Sequence, residues 1–442
     1  MYIAVDDTDS RYGMCTTFLV TELIKEFSEY KVIHYPRLVR LNPNIPWKTR
    51  GNGAVVIELG KKGIGEIEVG NIEEPVLAKA QKGEDIEEKK ETILLRVIKL
   101  VDKWGELDIE GTNPGVVIGR EKPPVELYWK TVREVVKLDE IIDILDAGEF
   151  CYKGYGNKRG LIGAAAAMSW IPEDHTYELI SYRKKELWGT GRDMPEEDVI
   201  ELDNTLKSTF DSYDHQESSS TIAPNSPCPV LYGVRGDDPD ELKKSLDLVG
   251  GEEPERWLLF LTNQGTDDHI VDSDISEIEP YRSVHVRAAV SSKPRVIEGG
   301  HVFIDLKNGQ KVTAAAYEPT KDFRKIIKSL IPGDIIEIWG GVREEPETLN
   351  IEKIKIVHIE EKCEKIGNPV CPKCGKRMSS IGKDAGYRCK RCSTKAGENE
   401  VEMGKVDRAL EEGWYETPVS ARRHLSKPLK RMEILSKQHG YF

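Results

Sequence analysis

The sequence contains no long apolar run, and from its first residues we expect no leader peptide. No hydrophobic stretch approaches the roughly 18–20 residues that a membrane helix needs. Met1 is followed within five residues by Asp6, without the basic and apolar regions of a secretory signal. We therefore expect no contact with a membrane and a cytoplasmic location. The pattern G-x-x-x-x-G-K-[ST] is also missing, which excludes a Walker-type phosphate loop.

Cysteine is infrequent, and its distribution does not suggest a disulfide framework. Four of the eight cysteines are isolated in the sequence. The other four form two Cys-x-x-Cys pairs: Cys371, Cys374, Cys389 and Cys392. Two such pairs can surround one tetrahedral ion with four thiolates, so we predict a structural zinc site. The alternative is a redox-active pair, but the thioredoxin-like βαβ context that such a pair needs is absent.

Excess positive charge is confined to the end of the chain. The net charge is −13. Residues 361–442 hold 18 basic and 11 acidic side chains, which leaves −20 for residues 1–360. An acidic protein repels a phosphate backbone at long range. We therefore expect any nucleic acid to be bound locally, with the basic tail as the first candidate surface.

The pattern of apolar residues divides the 442 residues into four parts. Residues 1–135 read as an α/β domain with strands near 2–5, 32–40, 53–59 and 116–118, and with long helices over 75–104 and 125–146. Residues 136–275 have the elements of a ferredoxin-like α+β domain. Residues 276–362 show five strands with a helix between the third and fourth, the order of an OB-fold barrel. Residues 363–442 hold the cysteine pairs and the basic tail.

An acidic turn follows the first predicted strand. Asp6, Asp7 and Asp9 place three carboxylates within four residues, and such a cluster repels itself unless a cation lies in it. Oxygen ligands at the end of a strand suit Mg²⁺ with its phosphates. A helix begins near Thr16, whose hydroxyl could accept a phosphoryl group at the positive helix end. The alternative is a solvated turn with Thr16 as an N-cap.

Two further loops are candidates for handling phosphate. Lys48 and Arg50 lie beside glycines in the segment 47–53, where cations could neutralise charge developing on an anion. A second polar loop, residues 112–115, leads into a predicted strand. The ATP-binding candidates in these loops are Asn52, Gly53, Thr112, Asn113 and Gly115. Each loop alone is equally consistent with an ordinary turn.

Several long motifs together resemble one enzyme family. They are Asp6-Asp7-Thr8-Asp9-Ser10, Gly13-Met14-Cys15-Thr16-Thr17, Arg37 to Asn44 continuing into Trp47 to Gly53, Gly160 to Gly163, Asp174 to Ile180, Pro227 to Gly233 and Thr262 to His269. In these segments, and in the order of OB-fold and zinc ribbon, the chain is similar to the archaeal 2-agmatinylcytidine synthetases nearly from end to end. These enzymes modify the anticodon of the minor isoleucine tRNA.

The resemblance implies an ATP-dependent ligase with a kinase-like first domain. Such an enzyme phosphorylates the C2 oxygen of the wobble cytidine of a CAU-anticodon isoleucine tRNA and replaces it with agmatine, so that AUA rather than AUG is decoded. Phosphorylation turns a poor leaving group into one that an amine displaces. By the same resemblance, Asp6 and Asp7 hold magnesium, Asp9 also handles metal and phosphates, and Thr16 becomes phosphorylated. Lys48 and Arg50 would stabilise phosphoryl charge.

Agmatine carries a guanidinium group, which a carboxylate can bind through two hydrogen bonds. Candidates in or beside the polar stretch of the second domain are Asp203, Asp211 and Asp214, although each could equally be a loop carboxylate.

Two other functions remain open. A non-catalytic RNA-binding protein would not turn over nucleotide, and an RNA phosphotransferase would consume ATP without depending on agmatine.

Overall fold

The computed structural model describes residues 1–48 and 51–432. The elements of the first part are β1 (Tyr2–Asp6), α1 (Thr16–Glu26), β2 (Lys31–Arg40), β3 (Gly53–Gly60), β4 (Lys62–Ile64), β5 (Ile67–Ile72), β6 (Glu74–Ala78), β7 (Gln81–Glu84), α2 (Lys90–Trp104), β8 (Gly115–Gly119), α3 (Val125–Arg133), α4 (Leu138–Ala147) and β9 (Cys151–Gly154). The next part contains α5 (Gly160–Ser169), β10 (Thr176–Tyr182), α6 (Glu196–Thr205), β11 (Thr209–Phe210), β12 (Tyr213–Asp214), β13 (Ser219–Ser220), β14 (Val230–Gly236), α7 (Pro239–Lys243), α8 (Ser245–Leu248) and β15 (Arg256–Thr262).

The remaining elements form the C-terminal half. They are β16 (Ile270–Asp272), β17 (Ser283–Val290), β18 (Arg295–Val296), β19 (Val302–Asn308), β20 (Gln310–Ala316), α9 (Phe323–Ser329), β21 (Ile335–Arg343), β22 (Thr348–His358), β23 (Cys363–Gly367), β24 (Ser379–Ser380), β25 (Tyr387–Arg388), β26 (Lys395–Ala396), β27 (Glu402–Lys405) and β28 (Gly413–Glu416). Among the described helices, none combines the length and the apolar composition of a membrane-spanning segment.

One twisted sheet carries the first two domains. Its interior strand β1 pairs antiparallel with β3 on one side and β8 on the other. Because side chains alternate across a strand, Ile3 and Val5 pack with α1 and α2 on one face, and Ala4 packs with α3, α4 and α5 on the other. The sheet is therefore buried on both faces, and β1 ends inside the molecule.

The sheet continues without a break into the ferredoxin-like domain. Strand β15 lies parallel to β2, with Leu261 opposite Arg37 and Thr262 opposite Leu38. Strand β10 then pairs with β15, and β14 with β10. A shared sheet brings the ends of β1, β2, β10 and β14 close to one another. The domain limits predicted from the sequence, after residues 135, 275 and 362, stay predictions.

Two of the predicted helices were wrong in extent. The helix expected over 75–104 is confined to α2, because residues 74–84 form the strands β6 and β7. The helix expected over 125–146 consists of α3 and α4, separated by an extended segment that starts at Glu134 with φ −131°. In both regions the apolar residues are compatible with a helix as well as with extended structure. The hydrophobic pattern alone does not decide between the two.

The predicted OB-fold is confirmed as a closed barrel. Strands β17, β21, β22, β20 and β19 pair in that order, and β19 closes the ring by pairing with β17. The Asn308-Gly309 turn joins β19 to β20 as expected, with Gly309 at φ +70°. Helix α9 packs on the barrel through Phe323 and Ile327. The barrel has its own hydrophobic core, separate from that of the large sheet.

The chain leaves the barrel for a small cysteine-centred module and then returns. Cys371, Met378, Tyr387 and Cys389 form the small core of that module. Strand β28 then adds to the barrel beside β22. We call residues 413–432 the return segment. Beyond β28 it crosses to the large sheet, where Leu425 is buried with α3, α4 and α5.

Candidate active site

The acidic turn begins where β1 ends, inside the molecule. Asp6 is 8% exposed, and its pKa is raised well above the usual value by burial and by the negative charges of Asp7 and Asp9. The backbone bends sharply at Asp7, with φ +56°. A buried carboxyl beside two others fits a divalent cation, which would offset the repulsion.

Two close approaches hold this turn in place. A Cβ atom on Gly163 would lie 1.8 Å from Asp6 Oδ2, so only glycine allows α5 to pack against the carboxyl group. Asp7 Oδ2 accepts a hydrogen bond of 2.8 Å from the backbone N–H of Asn113. The turn is therefore positioned by β8 and α5, which flank β1.

Thr16 is the first residue of α1 and faces the acidic turn. The Thr8 hydroxyl donates a hydrogen bond of 3.1 Å to Thr16 Oγ1, and both side chains are buried. Cys15, in extended conformation, precedes the helix. The helix end directs its free N–H groups toward the same region as the turn, an arrangement that favours an anion.

A cavity of about 540 Å³ connects the turn to both domains. This volume is typical of sites for small organic ligands. The predicted residues that line it are Asp6, Asp7, Asp9, Thr16, Lys48, Asn52, Gly53 and Asn113. Arg50 lies outside the described residues. Residues far apart in the sequence thus meet at one concave surface.

The loop that carries Lys48 packs around an arginine. A Cβ on Gly51 would lie 2.6 Å from Arg40 Nη1, and one on Gly53 would lie 2.9 Å from the same atom. The glycines thus make room for this guanidinium group. Lys48 donates a hydrogen bond to the Pro43 carbonyl, and burial together with the charge of Arg423 lowers its pKa to about 8.

Thr112 and Gly115 are not among the described residues that line the cavity, but both contact residues that do. The Thr112 hydroxyl donates to the Asp9 carbonyl at 3.0 Å. Gly115 pairs with Asp6 across the sheet, and a Cβ there would lie 2.0 Å from the Gly160 carbonyl carbon. Both residues therefore shape the turn from behind, whereas Asn113 reaches the cavity itself.

The wall opposite the acidic turn is cationic, and sequence reasoning missed most of it. Arg40 at the end of β2 and Arg235 on β14 flank Glu178 on β10, at 4.0 and 3.3 Å. His424 of the return segment completes this wall. Burial lowers the pKa of Arg40, and burial with the charges of Arg40, Arg235 and Lys48 holds the pKa of His424 well below its usual value.

The three aspartates predicted to bind agmatine are not among the described residues that line this cavity. Asp203 lies 3.0 Å from His215 Nε2. Asp211 pairs with Arg422 and lies 3.8 Å from Arg235. Asp214 accepts hydrogen bonds from the backbone of Gln216 and Ser420, each 3.0 Å long. Each carboxylate therefore contributes to local structure, and Asp211 is connected to the cavity through Arg235.

The four cysteines of the two pairs converge. All four Sγ atoms lie within 4.8 Å of one another, with Cys371 and Cys392 at 3.2 Å and Cys374 and Cys389 at 3.5 Å. Tetrahedral zinc with Zn–S bonds of about 2.3 Å places sulfurs about 3.8 Å apart. The donor set and its spacing fit a structural zinc ion.

Three family models match the chain in succession. The TiaS TCKD domain matches residues 2–155, the TiaS FLD domain 158–269 and the TiaS C-terminal zinc ribbon domain 368–410. The isoleucine-tRNA 2-agmatinylcytidine synthetase TiaS of Methanocaldococcus jannaschii is 42% identical, over 98% of this chain and 99% of the relative. The chain belongs to the TiaS family. The enzyme of that name from Archaeoglobus fulgidus is 41% identical, with 98% of each chain covered.

Solved TiaS structures have the same fold. A complex of TiaS with its isoleucine tRNA and ATP superposes with a TM-score of 0.83 at 39% identity, covering 98% of this chain and 97% of the other. A complex of TiaS with the same tRNA, AMPCPP and agmatine gives 0.80 at 36% identity, with the same coverage. The four-part architecture expected from the sequence is confirmed, including the zinc ribbon.

Proposed function

We propose that this chain is an ATP-dependent ligase that joins agmatine to C2 of the wobble cytidine in a CAU-anticodon isoleucine tRNA. The product, 2-agmatinylcytidine, would cause AUA rather than AUG to be read. The observation that carries the proposal is the cavity in which the acidic turn, Thr16 and the cationic wall meet. Full-length similarity to enzymes named for this reaction supports it. A protein that works on tRNA in this way would function in the cytoplasm.

Asp6 and Asp7 are the residues that would hold Mg²⁺. Bound there, the ion would neutralise phosphate charge and orient the nucleotide. Asp6 sits at the end of a buried strand, and its raised pKa reflects that burial and the neighbouring carboxylates, both of which a cation would offset. Asp9 flanks the same turn and would contribute to metal and phosphate binding. Lys48 and Arg50 would stabilise negative charge on the transferred group.

Thr16 would accept a phosphoryl group. Its hydroxyl faces the acidic turn and already interacts with Thr8. The Asn52-Gly53 and Thr112 to Gly115 loops would hold the nucleotide, with Asn52, Gly53 and Asn113 in contact and Thr112 and Gly115 supporting them from behind. The cytidine oxygen, once phosphorylated, departs as phosphate when the amine attacks C2. The base must leave the anticodon stack to reach this cavity, at a cost of a few kcal/mol.

Agmatine would enter from the ferredoxin-like domain. Asp203, Asp211 and Asp214 remain our candidates for its guanidinium group, and Asp211 is coupled to the cavity through Arg235. The amine must lose a proton before it attacks, which requires a nearby base.

Mass spectrometry of the tRNA tests the proposed function. The full chain is incubated with isoleucine tRNA, ATP, Mg²⁺ and agmatine, and the wobble nucleotide is analysed after digestion. We expect the mass of 2-agmatinylcytidine, which disappears when ATP or agmatine is omitted. Phosphorylated tRNA that forms without agmatine and never proceeds would indicate a phosphotransferase instead. Tight tRNA binding without any ATP consumption would indicate a binding protein.

A further inference from the structure

The return segment is anchored to the large sheet by its backbone. The N–H groups of Gly265 and Asp267 donate to the carbonyl groups of His424 and Leu425, both at 2.8 Å. The Leu425 side chain is 1% exposed and belongs to the core formed with α3, α4 and α5. The segment is therefore an integral part of the catalytic body and not a loose tail.

Its arginines fix the segment on both sides of His424. Arg422 pairs with Asp211, and Arg423 donates a hydrogen bond to Asn44 Oδ1. Arg431, 2% exposed, binds Asp174 at 2.9 Å. These three arginines are used within the protein and are not available to a polyanion, whereas the basic region 361–442 as a whole stays the candidate surface predicted from the sequence. The three arginines hold the His424 backbone in one place.

His424 lines the cavity, and one of its ring nitrogens has no protein partner within the described residues. Within residues 1–48 and 51–432, neither His424 Nδ1 nor Arg40 Nε makes a hydrogen bond, although both atoms are buried. The two side chains meet over Gly51, where a Cβ would lie 3.3 Å from His424 Nε2 and 2.6 Å from Arg40 Nη1. Leaving such buried groups unpaired is costly. An acceptor from a ligand would remove that cost.

The charges around His424 identify the kind of acceptor. Arg40, Arg235 and Lys48 all act on the imidazole, and Glu178 is the carboxylate beside the two arginines. Asp211 also lies 3.8 Å from Arg235 but is paired with Arg422, so three cations against two carboxylates leave this wall positive. An anionic oxygen therefore fits better than a neutral carbonyl group, because charge-assisted hydrogen bonds are the stronger kind.

We propose that His424, together with Arg40 and Arg235, binds a phosphate group in the catalytic cavity. The inference rests on the proposed function, which brings two sources of phosphate to this site: the nucleotide and the tRNA backbone beside the wobble cytidine. Both present the same oxygen to the imidazole. The return segment thereby contributes His424 to the cationic wall of the site.

Binding measurements on the full chain distinguish these sources. His424→Ala, His424→Asn and His424→Gln are titrated separately with AMPCPP and with isoleucine tRNA. The amide nitrogen of asparagine can take the place of Nδ1, whereas that of glutamine reaches the place of Nε2. His358→Ala is the matched control, since His358 is 54% exposed on the barrel and does not belong to the described lining of the cavity.

We expect His424→Ala and His424→Gln to weaken one of the two ligands by about tenfold or more, and His424→Asn to recover most of the loss. Weaker binding of AMPCPP would assign the phosphate to the nucleotide. Weaker binding of tRNA would assign it to the RNA backbone. If His424→Ala does not fold, the affinities of His424→Asn and His424→Gln are compared with each other to test the inference.

Equal affinities of the asparagine, glutamine and unaltered proteins for both ligands would overturn the inference. That result is separate from a failure of the proposed function, in which the unaltered protein itself would form no 2-agmatinylcytidine.

Discussion

At the scale of single residues, Asp6 carries a charge that its burial does not favour. Asp6 is buried with its pKa raised well above the usual value, and Asp7 and Asp9 contribute to that shift. A raised pKa in the folded state means that the ionised form is disfavoured there. The resulting destabilisation is absent below the unfolded pKa of about 3.9 and grows as the pH rises through the folded value.

Asp6→Asn is therefore expected to stabilise the metal-free protein at pH 7. Asparagine keeps the carbonyl oxygen that accepts from the Asp7 N–H and removes the charge. We expect a melting temperature higher by about 2–4 °C, as about 1 kcal/mol produces in a domain of this size. Thermal melting with and without Mg²⁺ measures it.

The same variant should lose the stabilisation that we expect Mg²⁺ to give to the unaltered protein, and with it the activity. A variant that is less stable than the unaltered protein without Mg²⁺, or equally stabilised by the ion, would contradict the role given to Asp6.

Thr16 provides a second prediction at this scale. Thr16→Ala removes the hydroxyl that faces the acidic turn and should abolish 2-agmatinylcytidine formation while tRNA affinity stays within about twofold. Thr16→Ser keeps the hydroxyl and should retain measurable activity. Mass spectrometry of the tRNA and a filter-binding assay provide the two readouts. Full product formation by Thr16→Ala would rule out phosphoryl uptake at this position.

The residues of the site differ in how well the sequence predicts them. Asp6, Asp7, Asp9 and Thr16 lie within eleven positions of one another, so a strand, a turn and a helix suffice to bring them together. His424 comes from the opposite end of the chain, and only the packing of the return segment brings it to the cavity. In the sequence, its basic neighbours resembled a polyanion-binding tail.

At the scale of elements, the return segment links the barrel and the large sheet. Arg431 is its most buried arginine, at 2% exposed, and it interacts with Asp174 and Asp237. Removing Arg431 would leave Asp237 without this cation and the carbonyl groups of Gly265 and His175 without its hydrogen bonds, which is costly.

Arg431→Ala should lower the stability of the catalytic body by on the order of 3 kcal/mol. Arg377→Ala is the matched control, because Arg377 is 57% exposed in its pair with Glu402 and an exposed pair contributes about 0–1 kcal/mol. Melting curves of both variants measure the difference. Equal stability of the two variants would show that the return segment is not an integral part of the fold.

Element prediction succeeded where the hydrophobic period was unambiguous. The barrel strands were predicted because apolar residues alternate over 284–290 and again over 302–306, and the observed β17 and β19 cover these positions. The region 75–89 was assigned to a helix, but hairpins form there because β6 pairs with β5, and β7 with β4. In such a region, the choice between helix and strand depends on whether another segment of the chain is available as a pairing partner.

At the scale of the whole molecule, the zinc ribbon is a separate unit with its own small core. Cys371, Cys374, Cys389 and Cys392 provide all of the ligands, so purified protein should contain about one zinc ion per chain. Cys389→Ser should reduce that content and unfold the ribbon, whereas the large sheet should retain its melting transition. Metal analysis and calorimetry measure the two effects.

Cys151→Ser is the control, since Cys151 lies on β9, outside the cluster. Iron in place of zinc, or intact reduced protein without metal, would contradict the assignment. Melting of the large sheet together with the ribbon would show that the two are one cooperative unit.

Local sequence patterns predicted the separate parts of the protein. Cysteine spacing predicted a metal module, alternating apolar residues predicted a barrel, and adjacent aspartates predicted a turn that binds a cation, because each of these signals is local. The assembly of the site depends on tertiary packing. The parallel pairing of β15 with β2 and the return of the chain's end bring Arg40, Arg235 and His424 to face the acidic turn. Such contacts depend on which surfaces bury one another, and no local pattern encodes that choice.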